Sequence, residues 1–320
     1  MEYKDYTTTL EKLSETLNLY GVAVIPDVLN KAEIDDMKKS MWIMLESLTS
    51  KFDVPIKEKN QKSWNSFYKL LPLHSMLLQH YKVGHDQFVW NIRQNPKVVS
   101  IFSKLWNCPN EELLTSFDGM SIHFPPEITK RGWYKSNDWL HTDQSYTRNN
   151  LECIQSFVSC YDINEGDATI TLLEGSHKYH KDVADEFKIT DKTDWYKLND
   201  NEYNFYTKKG CNRYCVKCPA GSMVFWDSRT IHAGMEALKT RIKQNIRLVV
   251  YVCQTPRKLA SESNLEKKKK AFNDMRMTTH SPHKVKLFPV NVRTYGAELP
   301  NVTDLPKPKL SELGRKLAGF

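Results

Sequence analysis

Apolar positions in the first fifty residues of the chain recur with two different periods. From Ile34 through Met37, Met41, Trp42 and Leu45 the spacing is three and four, which predicts an amphipathic helix with one apolar stripe. Ahead of it, "GVAVIP" at 21–26 is a short unbroken apolar run closed by Pro26, which predicts a strand, and "LEKLSETLNLY" before that predicts another helix. Residues 70–106 are rich in methionine, histidine and aromatics, and the second half, "VWNIRQNPKVVSIFSKLW", is helical by period. From Leu113 the helical period stops. "LLTSFDGMSIHF", "CIQSFVSCYDI", "ATITLLEG", "NRYCVKC", "GSMVFWDS" and "IRLVVYVC" are short runs of β-branched and aromatic residues between turn residues. Many short strands without long helices between them predict an antiparallel sandwich or barrel. A polar stretch at 181–212 interrupts the series as a lid or a rim excursion. After Pro256 helical spacing returns in "ESNLEKKKKAFNDMRM", followed by a proline-punctuated tail. With no internal repeat and no low-complexity linker, the expected organisation is one domain over 1–320: mainly helical support to 112, a β core over 113–256 and a helical and extended tail from 257.

Composition narrows this picture. The chain has 320 residues, 40% of them hydrophobic, which suffices for a large core and argues against disorder. No window approaches the run of about eighteen apolar residues a membrane helix needs, and the N-terminus lacks a secretory layout, so a soluble, intracellular and cytoplasmic protein is expected. Seven unevenly spaced cysteines fit reduced thiols better than a disulfide framework. The formal net charge is +8, densest at Lys267–Lys270, but Glu266 and Asp274 flank that run as on a solvated helix face. A basic balance suits nucleic acid or an anionic small molecule, and charge alone does not choose between them.

The chemistry concentrates in "WLHTDQSY" at 139–146, where His141 and Asp143 stand two apart in a strand-like run and so share a face. Alone, one His-x-Asp says little. Eighty-nine residues after Asp143, His232 follows the aromatic strand of "MVFWDSRTIHAG". Two imidazoles and one carboxylate from separate strands make a facial triad for ferrous iron, with three positions left open for an anionic bidentate cosubstrate and dioxygen. A keto-acid cosubstrate needs a cation for its far carboxylate. Arg247, fifteen residues after His232 at the start of "RLVVYVC", offers a planar fork, and Arg241 in the polar "ALKTRIKQN" loop is the competitor.

Taken together, His141-Thr-Asp143 after Trp139, "LLEGSH" at 172–177, "PAGSMVFWDSRTIH" at 219–232 and the arginine of the next strand resemble the phytanoyl-CoA dioxygenase family of Fe(II)- and 2-oxoglutarate-dependent oxygenases. The resemblance runs from about Tyr20 to the end of the chain. It implies a β-rich α+β fold, a double-stranded β-helix of the jelly-roll or cupin type with flanking N- and C-terminal helices. It also implies Fe(II), 2-oxoglutarate and O2 as cofactor and cosubstrates, His141, Asp143 and His232 as metal ligands and catalytic centre, and Arg247 as cosubstrate anchor. Three departures accompany it: the interval from His232 to Arg247 is longer than is common, Gly234 stands where relatives often carry a hydroxyl, and Glu174 replaces a turn proline. Because Asp143 is present, hydroxylation or a related oxidation is expected rather than halogenation, which relatives carry out with chloride in place of the carboxylate.

Other residues carry two readings each. His177 either touches cosubstrate or holds its turn, and Gln155 either reaches cosubstrate or is a satisfied core amide. Cys211, Cys215 and Cys218, with Cys253 as a distant fourth, are either a zinc site or strand residues packed as small hydrophobes. Trp139 and Trp226 are expected to wall the pocket, His74, His80 and His85 to be core or surface histidines, and His280 and His283 to approach the site from the tail. The expected function is oxidation of a small-molecule substrate. The alternative is a non-catalytic protein binding a ligand or nucleic acid on the same fold, with no membrane partner in either case. The sequence does not specify the oligomeric state.

Overall fold

A computed structural model of the chain describes residues 1–136, 138–294 and 296–320. The strands are β1 (Glu2–Lys4), β2 (Val22–Ile25), β3 (Leu77–Leu78), β4 (Leu113–Thr115), β5 (Met120–His123), β6 (His141–Thr142) and β7 (Ile154–Ser159). They continue with β8 (Thr169–Leu173), β9 (Tyr196–Lys197), β10 (Arg213–Val216), β11 (Met223–Asp227), β12 (His232–Met235) and β13 (Arg247–Pro256). One sheet runs β1-β10-β8-β12-β6-β9 and the other β2-β11-β7-β13-β5-β3, with β4 also on β13. All these pairings are antiparallel except β1 with β10. This is the antiparallel two-sheet arrangement that the strand-rich half of the sequence predicts, and the double-stranded β-helix with flanking helices that the family resemblance implies.

The two faces of the second sheet go to different layers, as a period of two requires. On β11, Met223 and Phe225 join a cluster with Met41, Leu45 and Phe102 of the N-terminal helices. Val224 and Trp226 point the other way and meet Phe157 and Val249 of their own sheet and Ile170 and Leu172 of the opposite one. Every residue of β11 is therefore buried, and the strand reads as an apolar run rather than an alternation.

The helix Lys31–Leu48 begins at a capping box: Asn30 Oδ1 accepts from Glu33 N at 3.0 Å and Glu33 Oε2 accepts from Asn30 N at 2.7 Å. It buries Met37, Met41, Trp42, Met44, Leu45 and Leu48 against the outer face of the second sheet. The N-terminal third carries the strand expected at 21–26, as β2, and also β1 and β3, which the helical period does not show; each of the three completes a sheet edge. The stretch 181–212 also differs from an irregular lid. It carries β9, paired with β6, and a helix Asp200–Lys208 that a second capping box, Asn199 with Glu202, initiates. Tyr206 and Tyr196 of this stretch pack with Leu173 and Ala233 on the outer face of the first sheet. Among the described residues no helix is long and apolar enough to cross a membrane.

Several histidines are buried as neutral groups, with a consequence for acid stability. Burial pushes His123, His180 and His283 down to about 4 and His85 to about 3. In the unfolded chain each takes a proton near pH ~6.5, so the unfolded state gains protons first as pH falls. The stability these groups contribute is complete above that pH and is lost on the way down to about 4. A melting temperature lower at pH 5 than at pH 7.5 by on the order of 10 °C is expected in scanning fluorimetry of the metal-free protein. A flat profile over that interval would contradict neutral burial.

Candidate active site

β6 is two residues long and lies directly opposite the start of β12, so that His141 and His232 form a cross-strand pair. The chain leaves β6 at Asp143, whose N–H donates to Ser228 O at 3.1 Å and whose carboxylate is thereby turned back toward both rings. His141 Nε2 is 3.5 Å from Asp143 Oδ1, and His232 Nε2 is 3.4 Å from Asp143 Oδ2. One ligand-type atom from each of the three residues lies within 4.8 Å of the others.

The protonation of this cluster follows from its outer bonds. His141 Nδ1 is 3.0 Å from Trp139 O and His232 Nδ1 is 2.9 Å from Thr230 O. A carbonyl accepts only, so in each ring Nδ1 carries the hydrogen and Nε2 turns a lone pair toward Asp143. Burial together with the neighbouring His232 pushes His141 down, which keeps it neutral. Burial pushes the Asp143 carboxyl up, but the imidazoles of His141 and His280 beside it outweigh burial and hold the group well below the ordinary range. Two imidazole lone pairs and an ionised carboxylate thus converge without a donor hydrogen among them. An acceptor-only cluster of this kind fits a cation, and two neutral histidines with one carboxylate are the donor set of non-haem ferrous sites.

The supports of the cluster are specific. Gln155 on β7 donates from Nε2 to Asp143 Oδ2 at 2.9 Å, so its amide reaches the carboxylate itself. Trp139 stacks on His141 with centroids 4.8 Å apart and 11° between planes, and His74 stacks on the far side of Trp139 at 3.8 Å and 4°. Trp139 Nε1 donates to Gly234 O at 3.1 Å. A Cβ at position 234 would come within 2.6 Å of Met76 Cε and 3.3 Å of the Trp139 ring, which accounts for the glycine there: the Met76 methyl, backed by the indole, occupies the space a hydroxyl side chain would need. Glu174, the other turn departure, forms an ion pair at 2.6 Å with Lys4 of β1.

The triad opens into a cavity of about 440 Å³. Trp139 and Trp226 line it as expected, and Gln155 and Arg247 line it as well, Arg247 across the chamber from β6. The two arginines separate cleanly. Arg241 is spent on ion pairs with Glu127 and, at 3.1 Å, Asp167, and it does not line the cavity. Arg247 is 5% exposed and makes no ion pair among the described residues. It has long contacts to Ser121 Oγ at 3.3 Å and Ala168 O at 3.4 Å, and its guanidinium lies 5.0 Å over the ring of Phe157. Tyr251, four residues on along the same face of β13, brings its hydroxyl beside that guanidinium. The strand period alone places 247, 249 and 251 on one side, so Tyr251 was findable from the sequence.

His177 lies elsewhere. It is absent from the cavity wall, its Nε2 is 3.1 Å from Asn18 O, and its ring abuts Gly21, where it holds the turn. The cysteines do not gather either: Cys211, Cys215 and Cys218 belong to three different apolar clusters, and Cys253 lies instead beside Cys153, Sγ to Sγ 3.0 Å. Among the described residues His141, Asp143 and His232 are the metal-competent group. The tail does reach the site. Residues from Thr279 to Pro289 roof the cavity, with His280 Nδ1 3.9 Å from Asp143 Oδ2, while His283 bonds to Thr255 at 3.1 Å. Trp195 from the 181–212 stretch completes the rim, and His74 and Asp118 complete the wall; no local pattern announces these long-range approaches.

Known proteins agree with this architecture. Ava biosynthesis cluster protein O of Aspergillus versicolor is 27% identical over 241 residues, 73% of this chain and 75% of its own. A crystal structure of a hypothetical protein from Escherichia coli superposes with a TM-score of 0.63 at 14% identity, covering 99% of this chain and 86% of that one. The product of GlcNAc-inducible gene 2 of Candida albicans gives 0.56 at 14%, covering 98% and 83%. At such identities the structures speak for the fold alone. The family described as phytanoyl-CoA dioxygenase matches residues 17–242, a span that includes the triad and stops short of Arg247 and the roof. By that match this chain belongs to the phytanoyl-CoA dioxygenase family.

Proposed function

We propose that this chain is an Fe(II)- and 2-oxoglutarate-dependent dioxygenase that oxidises, most simply by hydroxylation, a C–H bond of a small molecule. The observation that carries the reading is the pairing, within one cavity, of an acceptor-only triad with a buried guanidinium that has no counter-charge among the described residues. His141, Asp143 and His232 would hold the metal, which leaves open positions for a bidentate keto acid and dioxygen. Bound together, iron and 2-oxoglutarate supply the oxidising power, coupling dioxygen reduction to decarboxylation of the keto acid to succinate and carbon dioxide.

The protein's own part is orientation and exclusion. The Nδ1–H bonds to Trp139 O and Thr230 O fix both tautomers, and Gln155 fixes the carboxylate rotamer. Arg247 grips the far carboxylate of the cosubstrate through its fork, and the Tyr251 hydroxyl donates the second contact that a side chain at Gly234 cannot. The roof and Trp195 keep water from the chamber. Because strands from before residue 112 complete both sheets around this chamber, residues 1–320 act as one catalytic unit. The name of the Aspergillus relative, a biosynthesis cluster protein, supports a small-molecule substrate.

Anaerobic titration of Fe(II) and 2-oxoglutarate into folded, metal-free protein tests this. The expected result is the weak visible charge-transfer band of a chelated keto acid, saturable in both components and absent with succinate. Folded protein that yields no band at saturating additions would sink the oxygenase reading.

A further inference from the structure

The cavity has a second polar end that the oxygenase reading leaves unused. Asp118 lies between β4 and β5, is 7% exposed and lines the wall. Its Oδ1 accepts from Gly119 N at 2.6 Å and from Gln79 Nε2 at 3.3 Å. Among the described residues nothing donates to Oδ2, and no cation stands within ion-pair distance of the carboxylate. The nearby buried guanidinium of Arg93 is directed to main-chain oxygens, those of Gly84 and of Asp118 itself. Burial raises the Asp118 carboxyl above its ordinary value, outweighing the bonds from Gly119 and Gln79 and the more distant His280 and Arg93. Taking a carboxylate out of water costs several kcal/mol unless it is paired, so the free oxygen calls for a donor from inside the cavity.

The other charged groups of the wall are accounted for. Asp194 pairs with Arg148, Lys284 pairs with Glu152 at 2.8 Å, and Lys286 is exposed, where water satisfies it. Arg247 and Asp143 are committed to cosubstrate and metal by the reading above. Asp118 is left as the buried wall charge with no assigned partner, and His280 from the roof stands near it as well as near Asp143.

The remainder of the wall says what accompanies the donor. Leu73, Leu77, Trp139, Phe288 and Trp195 present apolar and aromatic surface, and Trp195 keeps 49% of its area exposed at the rim. Aromatic faces are poor partners for anions and attractive ones for organic cations. A carboxylate facing aromatic walls is the arrangement that recognises an ammonium group on an apolar body.

We propose that Asp118 is a substrate anchor and that the substrate is an apolar small molecule carrying a protonated amine, its nitrogen donating to Asp118 Oδ2. This rests on the oxygenase reading only in taking the cavity as the substrate chamber.

The test uses two probes of one shape, phenethylammonium and phenethyl alcohol, titrated calorimetrically into the full chain without metal or 2-oxoglutarate. Wild-type protein is expected to bind the ammonium at least about tenfold more tightly than the alcohol. Asp118→Asn retains the oxygen that Gly119 and Gln79 bond and removes the charge. In this variant the advantage of the ammonium over the alcohol disappears while the affinity for the alcohol is unchanged. Equal wild-type binding of ammonium and alcohol, absence of saturable binding by the ammonium, or a preference that survives Asp118→Asn would each overturn the proposal. Asp143→Ala removes the other free carboxylate of the metal-free cavity and is expected to leave the ammonium's advantage in place; loss of the advantage in that variant would overturn the proposal as well. Since iron and cosubstrate are absent, a failed charge-transfer titration and a failed amine titration report on different claims.

Discussion

Asp143→Ala is expected to abolish the metal centre: no charge-transfer band with Fe(II) and 2-oxoglutarate, and succinate formation reduced by a thousandfold or more, about 4 kcal/mol of lost transition-state stabilisation. The reasoning starts from charge. Asp143 is the negative member of a cluster whose other two members are neutral imidazoles, and it lies 3.5 and 3.4 Å from their lone-pair nitrogens. Alanine leaves two ligands and no charge to offset the dication. It also frees the Gln155 amide, which then has no acceptor at 2.9 Å. A readout independent of turnover is thermal: Fe(II) under anaerobic conditions, or Zn(II) in its place, raises the melting temperature of wild-type protein by mass action and leaves that of the variant unmoved. A variant that retained the metal-induced rise would show that the ligand set is not the one proposed.

Much of this site was readable in the chain before any coordinates, and the reason is the strand. A period of two predicts His141 and Asp143 on one face, and the bend that ends β6 at Asp143 keeps its carboxylate on that side; a turn-bounded strand carries His232 to the opposite position, so short-range pattern and residue type suffice to nominate the cluster. The sheets were legible for the same reason. Residue type alone left Arg241 and Arg247 unresolved, because the decision lies in who else is charged nearby. Glu127 and Asp167 are 114 and 74 residues from Arg241 and neutralise it. No sequence period records such a meeting.

The same limit applies to the residues that sequence reasoning passed over. His74 looked like one of three scattered histidines, and its significance is a stack on Trp139, sixty-five positions away. His177 carried a plausible motif, but the ring points to the junction of the first helix and β2, where Gly21 leaves room for it. Asp118 sits in "SFDGM", which reads as an ordinary turn, and the turn is indeed there in its bond from Gly119. What the turn does not reveal is the second carboxylate oxygen, which acquires meaning only when the roof from Thr279 to Pro289 and the wall from Leu73 to Gln79 enclose it. The proposed ligands lie in or directly after strands and are local in pattern; much of the chamber wall comes from Leu73–Gln79, from Thr279–Pro289 and from the 181–212 stretch, so it is assembled by tertiary packing.

Replacing Arg247 with methionine is expected to move affinity and stability in opposite directions. In the cosubstrate-free protein this guanidinium is 5% exposed, has no ion-pair partner among the described residues, and is compensated by long contacts to Ser121 and Ala168, by the Tyr251 hydroxyl and by the face of Phe157. Burial pushes its pKa down, the sign of a cation held at a cost. A methionine of similar reach fills the space without a charge, and exchanging a poorly paired buried ion for an apolar side chain is often neutral or stabilising by about 1–4 kcal/mol. The melting temperature of the free protein should therefore hold or rise by a few degrees. The affinity for 2-oxoglutarate should fall by about a hundredfold or more, since truncating a buried, hydrogen-bonded charge pair costs about 2–5 kcal/mol. Arg241→Met gives the opposite pattern. It breaks the ion pairs with Glu127 and Asp167, lowers the melting temperature, and leaves the 2-oxoglutarate dependence of the charge-transfer band near that of wild type. Melting curves and anaerobic titrations of both variants decide the matter: an Arg247→Met protein that is strongly destabilised yet still binds 2-oxoglutarate normally would make that arginine a piece of scaffold, and the anchor would have to be sought elsewhere on the cavity wall.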